Sequence, residues 1–482
     1  MSDNITHSIA DAIESAVAPI SDFVSSLIFY APEIFGVKIP LVVLWLITAA
    51  AVFTFYLRFV NLTGFGHALA LVSGRERRHL QGEGEISHFQ ALSSALSGTV
   101  GLGNIASVPV AIAVGGPGAV FWMVLAGFLG MSSKFAECAL SVKYRRVEPD
   151  GRVIGGPMFY IEEAFRRVKL GFLGKPAAIF FAVMTMGASV SVFQVNQSHA
   201  QFANVTGIAA PLPFGVIMAG LVAVVILGGI KRIGFVSGML VPLMGVLYLG
   251  AGLVIIGLNI DKAPQAFALI FQGAFGLDAA GGGLLGALIN GFRRATYSNE
   301  AGVGSSAIAH SAVKTSEPMT EGFVASLEPF IDTIVVCTIT ALVVIVSGAY
   351  EPYLFQPPAR GIEITSAAFA SAFDWFPLLL LVASMLFAFT TLVSWSYYGA
   401  QAAAYLFGSS RAVDVAFKLT LCLMLSTGAA VSLSSIIDFI DSMLFGMCIP
   451  NIIALYIMMP EIRRDLAAYN ARRRGRSSGH TA

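Results

Sequence analysis

SGTVGLGN, residues 97–104, places three glycines in eight positions of a stretch that is otherwise apolar far to either side. Each glycine costs an α-helix interior roughly 1 kcal/mol relative to alanine, so the run is poor helix material. Yet the surrounding chain demands helix. Of 482 residues, 56% are hydrophobic and 12% charged, and the mean hydropathy is +0.78, a balance that excludes a water-soluble domain. A bilayer core takes about 20 apolar residues per helical crossing, and such runs recur along nearly the whole chain. A membrane helix is being spoiled, and the reason must lie in what an unwound backbone can do there.

Working outward from that helix, the hydropathy pattern predicts an all-α polytopic membrane protein with eleven crossings. The first spans 39–57, the second carries the glycine run, and the third is AVFWMVLAGFLGMSSKFAECALSV. The others are 177–205, 210–230, 235–258, 284–312, 323–347, 376–407, 415–433 and 439–459. Residues 1–36 mix apolar and acidic positions and read as an amphipathic segment lying on the membrane surface. Residues 37–460 form the transmembrane domain, and 461–482 a basic tail expected to be disordered. Lysine and arginine stay on the cytoplasmic side. Arg75, Arg77, Arg78, the cluster within 143–175, Lys231, Arg232, Lys314, Arg411 and the tail all fall on alternate loops if the count is odd. The opposite loops carry Asp261, Glu351, Glu363 and Asp374. This alternation places the N-terminus outside and the C-terminus in the cytoplasm. No basic stretch followed by a small-residue cleavage site opens the chain, so no cleaved signal peptide is expected. The four cysteines, Cys138, Cys337, Cys422 and Cys448, are widely spaced in apolar runs and read as small core residues.

The spoiled helix has a counterpart. Five crossings on, INGFRRATYSNEAGVGSSAIAHSA (289–312) again combines glycines with polar and charged residues. Irregular backbone survives at membrane depth only where it lines a cavity or is buried in protein. Two such segments at matching positions in two halves point to a transporter site near the midplane. Helices 2–6 and 7–11 then form a 5+5 inverted repeat of the LeuT type, with helix 1 an extra at the N-terminus. Unwinding frees carbonyls for a cation and helix-terminal N–H groups for a carboxylate. The plainer alternative is that the glycines only allow close helix packing.

Several side chains in these crossings are costly there. Glu300, Arg293 and Arg294 lie at membrane depth, where a charge is a functional hypothesis by default. A gating role or a salt bridge between Glu300 and one arginine, locking the broken helix, are the two readings. Asp332 in FIDTIVVCTIT could ligate sodium or hydrogen-bond a neighbouring helix. Thr390 and Ser394 share a face of helix 9, as do Thr391 and Trp395, although lone threonines commonly bond their own helix carbonyls. Gln194, Asn196 and Gln197 of helix 4 could bind substrate or simply join helices. His199 and His310 sit near the expected membrane edges and read as non-catalytic.

SGTVGLGNIASVPVAIAVGGPGAVFWM, KFAECALSVKYR, GGPMFYI, NGFRRATYSNEAGVGSSAIAHSA and FIDTIVVCTITALVV resemble the alanine/glycine:cation symporter family, the sodium:alanine symporters, over 89–460. The resemblance implies a LeuT-type fold and sodium-coupled uptake of alanine and glycine. VGLGN is also similar to the first broken helix of the neurotransmitter:sodium symporters, which nominates Asn104 as a sodium ligand with backbone oxygens of Thr99 and Val100. By the same likeness Thr390 and Thr391 form a second sodium site with carbonyls of Ser97 and Val100; Asp332, as an intramembrane carboxylate, is a further candidate sodium ligand. Substrate would meet Thr99, Gly101, Gly103, Gln194, Ser298 and Thr391, with Trp395 walling a small pocket. The lead-in to Gln194, Ser191-Val192-Phe193, departs from the family's small-residue/Asn pattern.

The expectation is therefore a secondary active transporter in the plasma membrane, a bacterial inner membrane, moving sodium with a small neutral amino acid. The alternative is a proton-coupled amino acid permease of the same fold, with Glu300 or Asp332 carrying the proton. An ion channel would want a selectivity filter or charged ring. No HExxH, no GxSxG with a partner histidine and no GxxxxGK[ST] occurs, so neither an enzyme, an organic cofactor, nucleotide drive nor nucleic-acid binding is expected.

Overall fold

A computed structural model describes residues 19, 21–34, 37–75, 82–149, 151–276, 283–355, 361–430 and 433–478. Helices dominate, because in hydrocarbon only a helix satisfies its backbone within one segment. In chain order we label them α1 (Leu41–Tyr56), the bent pair α2 (His88–Thr99 and Gly103–Gly115), α3 (Ala119–Lys143), α4 (Gly171–Thr206), α5 (Pro211–Ile226) and α6 (Gly229–Leu258). The second half holds α7 (Gly283–Asn299), α8 (Pro318–Ser347), α9 (Phe376–Phe407), α10 (Arg411–Ala430) and α11 (Leu433–Ser478). Among the described residues seven helices are long and apolar enough to cross a membrane, and α2 makes an eighth across a 45° bend. Apart from helices, Glu33 pairs with Lys38 and Arg146 with Ile154 in two short antiparallel hairpins.

α3 is the central post. Every residue from Gly130 to Val142 is buried, Lys134 and Glu137 included. By contrast α6 and α5 present Val246, Val224 and Ile217 outward, as helices facing lipid do.

The loops that carry the basic residues come together at one end of the molecule. The Arg145 guanidinium, after α3, donates to the carbonyls of Ser311 (2.8 Å), Val313 (2.6 Å) and Thr315 (3.1 Å) before α8, and to Glu83 before α2. Arg152 reaches the Ser409 carbonyl between α9 and α10 at 3.4 Å, and a cavity of about 160 Å³ is shared by Glu85, Arg152, Gly229 and Ser409. Lys143 pairs with Glu461 and Asp465 of α11 at the same end. Arg77 and Arg78 and most of the expected surface segment 1–36 lie outside the described residues.

The tail corrects the sequence reading. Its described part is ordered as helix, α11 continuing to Ser478. Its arginine content hid an amphipathic stripe, because Ile462, Leu466 and Tyr469 recur at helical spacing and are buried. Tyr469 Oη lies 2.7 Å from His67 Nε2, and its ring packs on Phe323. Tyr469→Ala should therefore lower folding stability by about 3–5 kcal/mol, the usual cost of emptying a buried aromatic site. Thermal unfolding in detergent measures this, and an unchanged melting temperature would mean that the tail merely rests on the domain.

Candidate functional site

α2 starts on a capping box, in which Ser87 Oγ accepts from Gln90 N and Gln90 Oε1 accepts from Ser87 N. It stops at Thr99, and the backbone at Val100 turns to ψ 88°. The glycines there serve close approach. A Cβ on Gly101 would stand 2.5 Å from Thr391 Oγ1, and one on Gly98 would stand 2.9 Å from Tyr398 Oη. The N–H groups released by the break are held by side chains: Gly101 N donates to Asn104 Oδ1 (2.9 Å) and Leu102 N to Gln194 Oε1 (3.1 Å). The chain then resumes through a π-helical turn, Gly103–Ser107.

After α7 the chain unwinds in its own way. Glu300 (φ 55°), Gly302 (88°) and Gly304 (87°) lie in the left-handed region, which is sparsely allowed for a glutamate. Asn299 Oδ1 accepts from Ala301 N (2.9 Å), Asn451 Nδ2 donates to the Gly302 carbonyl (2.9 Å), and Glu300 accepts from the Ser305 hydroxyl.

Between the two breaks lies a buried oxygen-rich centre. Asp332, fully enclosed, sits in a π-helical stretch of α8, Phe330–Cys337. Asn104 Nδ2 donates to its Oδ1 at 2.7 Å, while Ser298 Oγ (2.6 Å) and Thr333 Oγ1 (2.8 Å) donate to its Oδ2. Asn104 Nδ2 also lies 2.9 Å from Ser298 Oγ. No lysine, arginine or histidine among the described residues forms an ion pair with Asp332. A buried carboxylate with only neutral partners is an incomplete electrostatic arrangement. Ser298 and Thr333 bring it hydroxyl oxygens, the hard donors that alkali and alkaline-earth cations prefer, whereas Asn104 turns its amide nitrogen to Asp332 and keeps its Oδ1 on Gly101 N.

Beside this centre, Gly98, Thr99, Gln194, Tyr297, Glu300 and Trp395 border a small cavity of about 30 Å³ that Gly103 also lines. That volume holds about one water. Thr391 Oγ1 is buried without a hydrogen-bond partner and points at the α2 break. Its neighbour Thr390 does not share that position. Its hydroxyl bonds the carbonyls of Leu386 (3.0 Å) and Phe387 (3.2 Å) in its own helix and faces Met244 Sδ on α6. Vicinal residues on a helix point about 100° apart, so only one of the pair can face α2. The residue that accompanies Thr391 is Ser394, three positions on, which donates to the Ser94 carbonyl (2.8 Å) and contacts Ser97 Oγ. Ser97 Oγ in turn lies 3.1 Å from Ser237 of α6. The Thr99 hydroxyl back-bonds to Ala95 and Leu96. Hydroxyls on the α2 face, Ser94 and Ser97, were the sequence signal that could have singled out Ser394.

The charged residues of α7 are not paired as expected. Arg293 (2.8 Å) and Arg294 (3.9 Å) face Asp441 of α11, and Glu300 meets Ser305, so there is no Glu300–arginine bridge. The helix break turns Glu300 away from the turn that carries the arginines.

His310, next to the Ser311 carbonyl that Arg145 holds, is tied into a network of buried charges. It is fully buried in the protein. Its Nδ1 lies 2.5 Å from Glu321 Oε1 and its Nε2 2.5 Å from Glu328 Oε1. A neutral imidazole has one N–H, so this double bridge holds an additional proton on the ring or on a carboxylate. Lys134 Nζ lies 3.2 Å from Glu328 and contacts Ser306, and His88 pairs with Glu321. Glu137 accepts from Asn451 Nδ2 at 2.9 Å. The network joins α2, α3, α8 and the segment after α7. Lys134 and the proton shared between His310 and its two carboxylates offset the charge of Glu321 and Glu328. Cys138 borders it and remains a free thiol, as do the other three cysteines.

Paired broken helices, an enclosed oxygen centre and a small cavity within a polytopic helical membrane protein define a transporter rather than an enzyme. A solved structure, MhsT in complex with L-phenylalanine, shares this LeuT-type fold: TM-score 0.54 at 16% identity, over 79% of this chain and 98% of that one. Residues 22–481 match the sodium:alanine symporter family, and the chain belongs to that family. The sodium/alanine symporter AgcS of Methanococcus maripaludis is 37% identical over 451 residues, covering 93% of this chain and 98% of that protein. The probable sodium/glutamine symporter GlnT of Bacillus subtilis is 32% identical over 438 residues, covering 90% and 88%.

Breaking the charge network should be expensive, because removing one partner leaves the other buried and unpaired. Glu328→Gln, which strands Lys134 and His310, should cost about 3–5 kcal/mol. Glu351→Gln, on an exposed loop, should stay within about 0.5 kcal/mol. Melting curves of the two variants that coincide would show that Lys134 is held by something else.

Proposed function

We propose that the protein carries sodium together with a small neutral amino acid, alanine or glycine, into the cell by alternating access. The observation that carries this reading is Asp332: a fully buried carboxylate, with no ion-pair partner among the described residues, between the broken α2 and the unwound segment after α7. A sodium ion beside Asp332, Ser298 and Asn104 supplies the missing positive charge. Thr391 and Ser394 with Ser97 offer oxygens for a second ion against α2, with backbone oxygens of Thr99 and Val100 nearby. The substrate carboxylate goes to the backbone around Gly101 and Gly103, and its amino group to the carbonyls at 298–302. Gln194, which already holds Leu102 N, fixes the α2 break around it.

The eight long spans, the two 16-residue apolar helices α1 and α5, and the polar α7 together make eleven crossings. The 5+5 inverted repeat then follows α1. Convergence of the basic loops at the α11 end supports a cytoplasmic C-terminus and an external N-terminus, in the plasma membrane of a bacterial cell.

Proteoliposomes loaded without sodium should accumulate labelled alanine when a sodium gradient is imposed. Uptake that ignores sodium and follows an imposed proton gradient would make Asp332 or Glu300 a proton carrier instead. In the same assay Asn104→Ala, Asp332→Asn and Thr391→Ala should raise the half-saturating sodium concentration about tenfold, the equivalent of ~1.4 kcal/mol. Thr390→Ala should leave it unchanged. Equal effects of Thr390→Ala and Thr391→Ala would remove the second-ion assignment.

Trp395, 4% exposed and edge-on to Tyr398 at 5.3 Å, closes the cavity on the α9 side. Trp395→Ala should admit valine and leucine as competitors of alanine uptake and weaken alanine itself. A variant that transports alanine normally and still rejects leucine would show that the indole only packs α9.

A further inference from the structure

A third cavity, about 630 Å³ and far larger than the one beside Trp395, lies where the end of α1 meets the C-terminal stretch of α11. Arg58, Arg463, Arg473 and Arg474 line it, with Thr63 and Asn470 between them, and no carboxylate does. Phe323 and Leu466 form its apolar floor. The α11 contributors, including 463, 466, 470, 473 and 474, recur at helical spacing and define one face.

The tail sorts its arginines by face. Arg472 pairs with Glu317 at 2.8 Å and Arg464 with Asp465 at 3.4 Å, both away from the cavity. Among the described residues Arg58, Arg463 and Arg473 have no ion-pair partner; Arg463 stacks instead over the Tyr56 ring at 4.8 Å. The turn that presents Arg58 has two consecutive non-glycine residues in the left-handed region, Arg58 (φ 56°) and Phe59 (φ 55°). L side chains adopt that conformation reluctantly, and it persists where surroundings impose it. Phe55 and Leu62, 66% and 61% exposed, flank the site on the outer surface. The basic cavity thus adjoins side chains that suit hydrocarbon.

The geometry points to a binding site for a phosphate-bearing anion in this cavity, held by Arg58, Arg463 and Arg473. Guanidinium groups recognise phosphate through paired charge-assisted hydrogen bonds, and basic pockets between membrane helices accept lipid headgroups. The exposed Phe55 and Leu62 favour an anionic phospholipid over a free phosphate, since they give its acyl chains a surface.

The full-length protein, purified and reconstituted with phosphatidylglycerol or with phosphatidylcholine alone, tests this by native mass spectrometry of retained lipid. The wild type should retain phosphatidylglycerol selectively. In R463Q/R473Q the apparent affinity should fall on the order of thirtyfold, each arginine beside an anionic headgroup contributing about five- to sixfold. R464Q/R472Q removes the same charge from the other faces of the helix and should retain the lipid, as should R463K/R473K in large part. Selective protection by inorganic pyrophosphate in phosphatidylcholine, lost in R463Q/R473Q, would identify a free phosphate as the source of the same chemistry. Equal retention of phosphatidylglycerol in all variants, or equal loss in both glutamine pairs, would overturn the site. The mass spectrum reads only intact folded protein, so an unstable variant cannot imitate a loss of binding.

Discussion

Asp332 is enclosed with no ion-pair partner among the described residues, and much of the surrounding architecture answers that condition. Its oxygens are reached by an amide from α2, a hydroxyl from the end of α7 and a hydroxyl from α8. Two of these donors stand beside places where a helix has come apart. Dipoles of this kind stabilise a carboxylate without neutralising it, so the centre still calls for a positive ligand. The nearby Lys134 network shows the other solution to buried charge. There, Glu321 and Glu328 have Lys134 and two histidines of the protein itself as partners. A matched network suits a scaffold, whereas an unmatched carboxylate suits a place that must fill and empty.

The two arrangements occupy the same helices. His88 on α2, Lys134 on α3, His310 after α7 and Glu321 and Glu328 on α8 belong to one contiguous set of ionic contacts. Because any member left alone would be a buried unpaired charge, these elements are costly to separate. Arg145 adds a set of bonds to loop carbonyls at the basic end. α2, α3 and α8 are thereby coupled mechanically, so that a shift at Asn104 or Asp332 is a shift of a body rather than of one side chain.

Much of this could be read in the residues. Glycines at 98, 101 and 103 and again at 302 and 304 marked both breaks, because glycine is the residue that lets backbone unwind or be approached. The hydropathy pattern located the helices, and Asn104, Asp332, Ser298 and Gln194 stood out as polar groups that hydrocarbon would not tolerate alone. What eluded the sequence was rotation and distance. Thr390 and Thr391 are adjacent in the chain but face different helices. The arginines at 293 and 294 are near Glu300 in sequence, yet the unwound backbone sends them to Asp441. The partners of His310 lie 11 and 18 residues away on another helix, a pairing that only the packing of that helix reveals. In the tail, a high arginine count masked three apolar positions.

The π-helical turns at Gly103–Ser107 and Phe330–Cys337 carry a consequence for inheritance. A π turn amounts to an α-helix with an added residue, so the aim of Asn104 and Asp332 depends on how many residues precede them in the turn as well as on which residues they are. Substitution cannot restore that aim once a residue is deleted, since every side chain beyond the deletion swings by about 100° around the helix axis. The centre is therefore written partly in length. Lineages that keep the activity are free to vary the lipid-facing residues of these helices but are bound to keep their residue count.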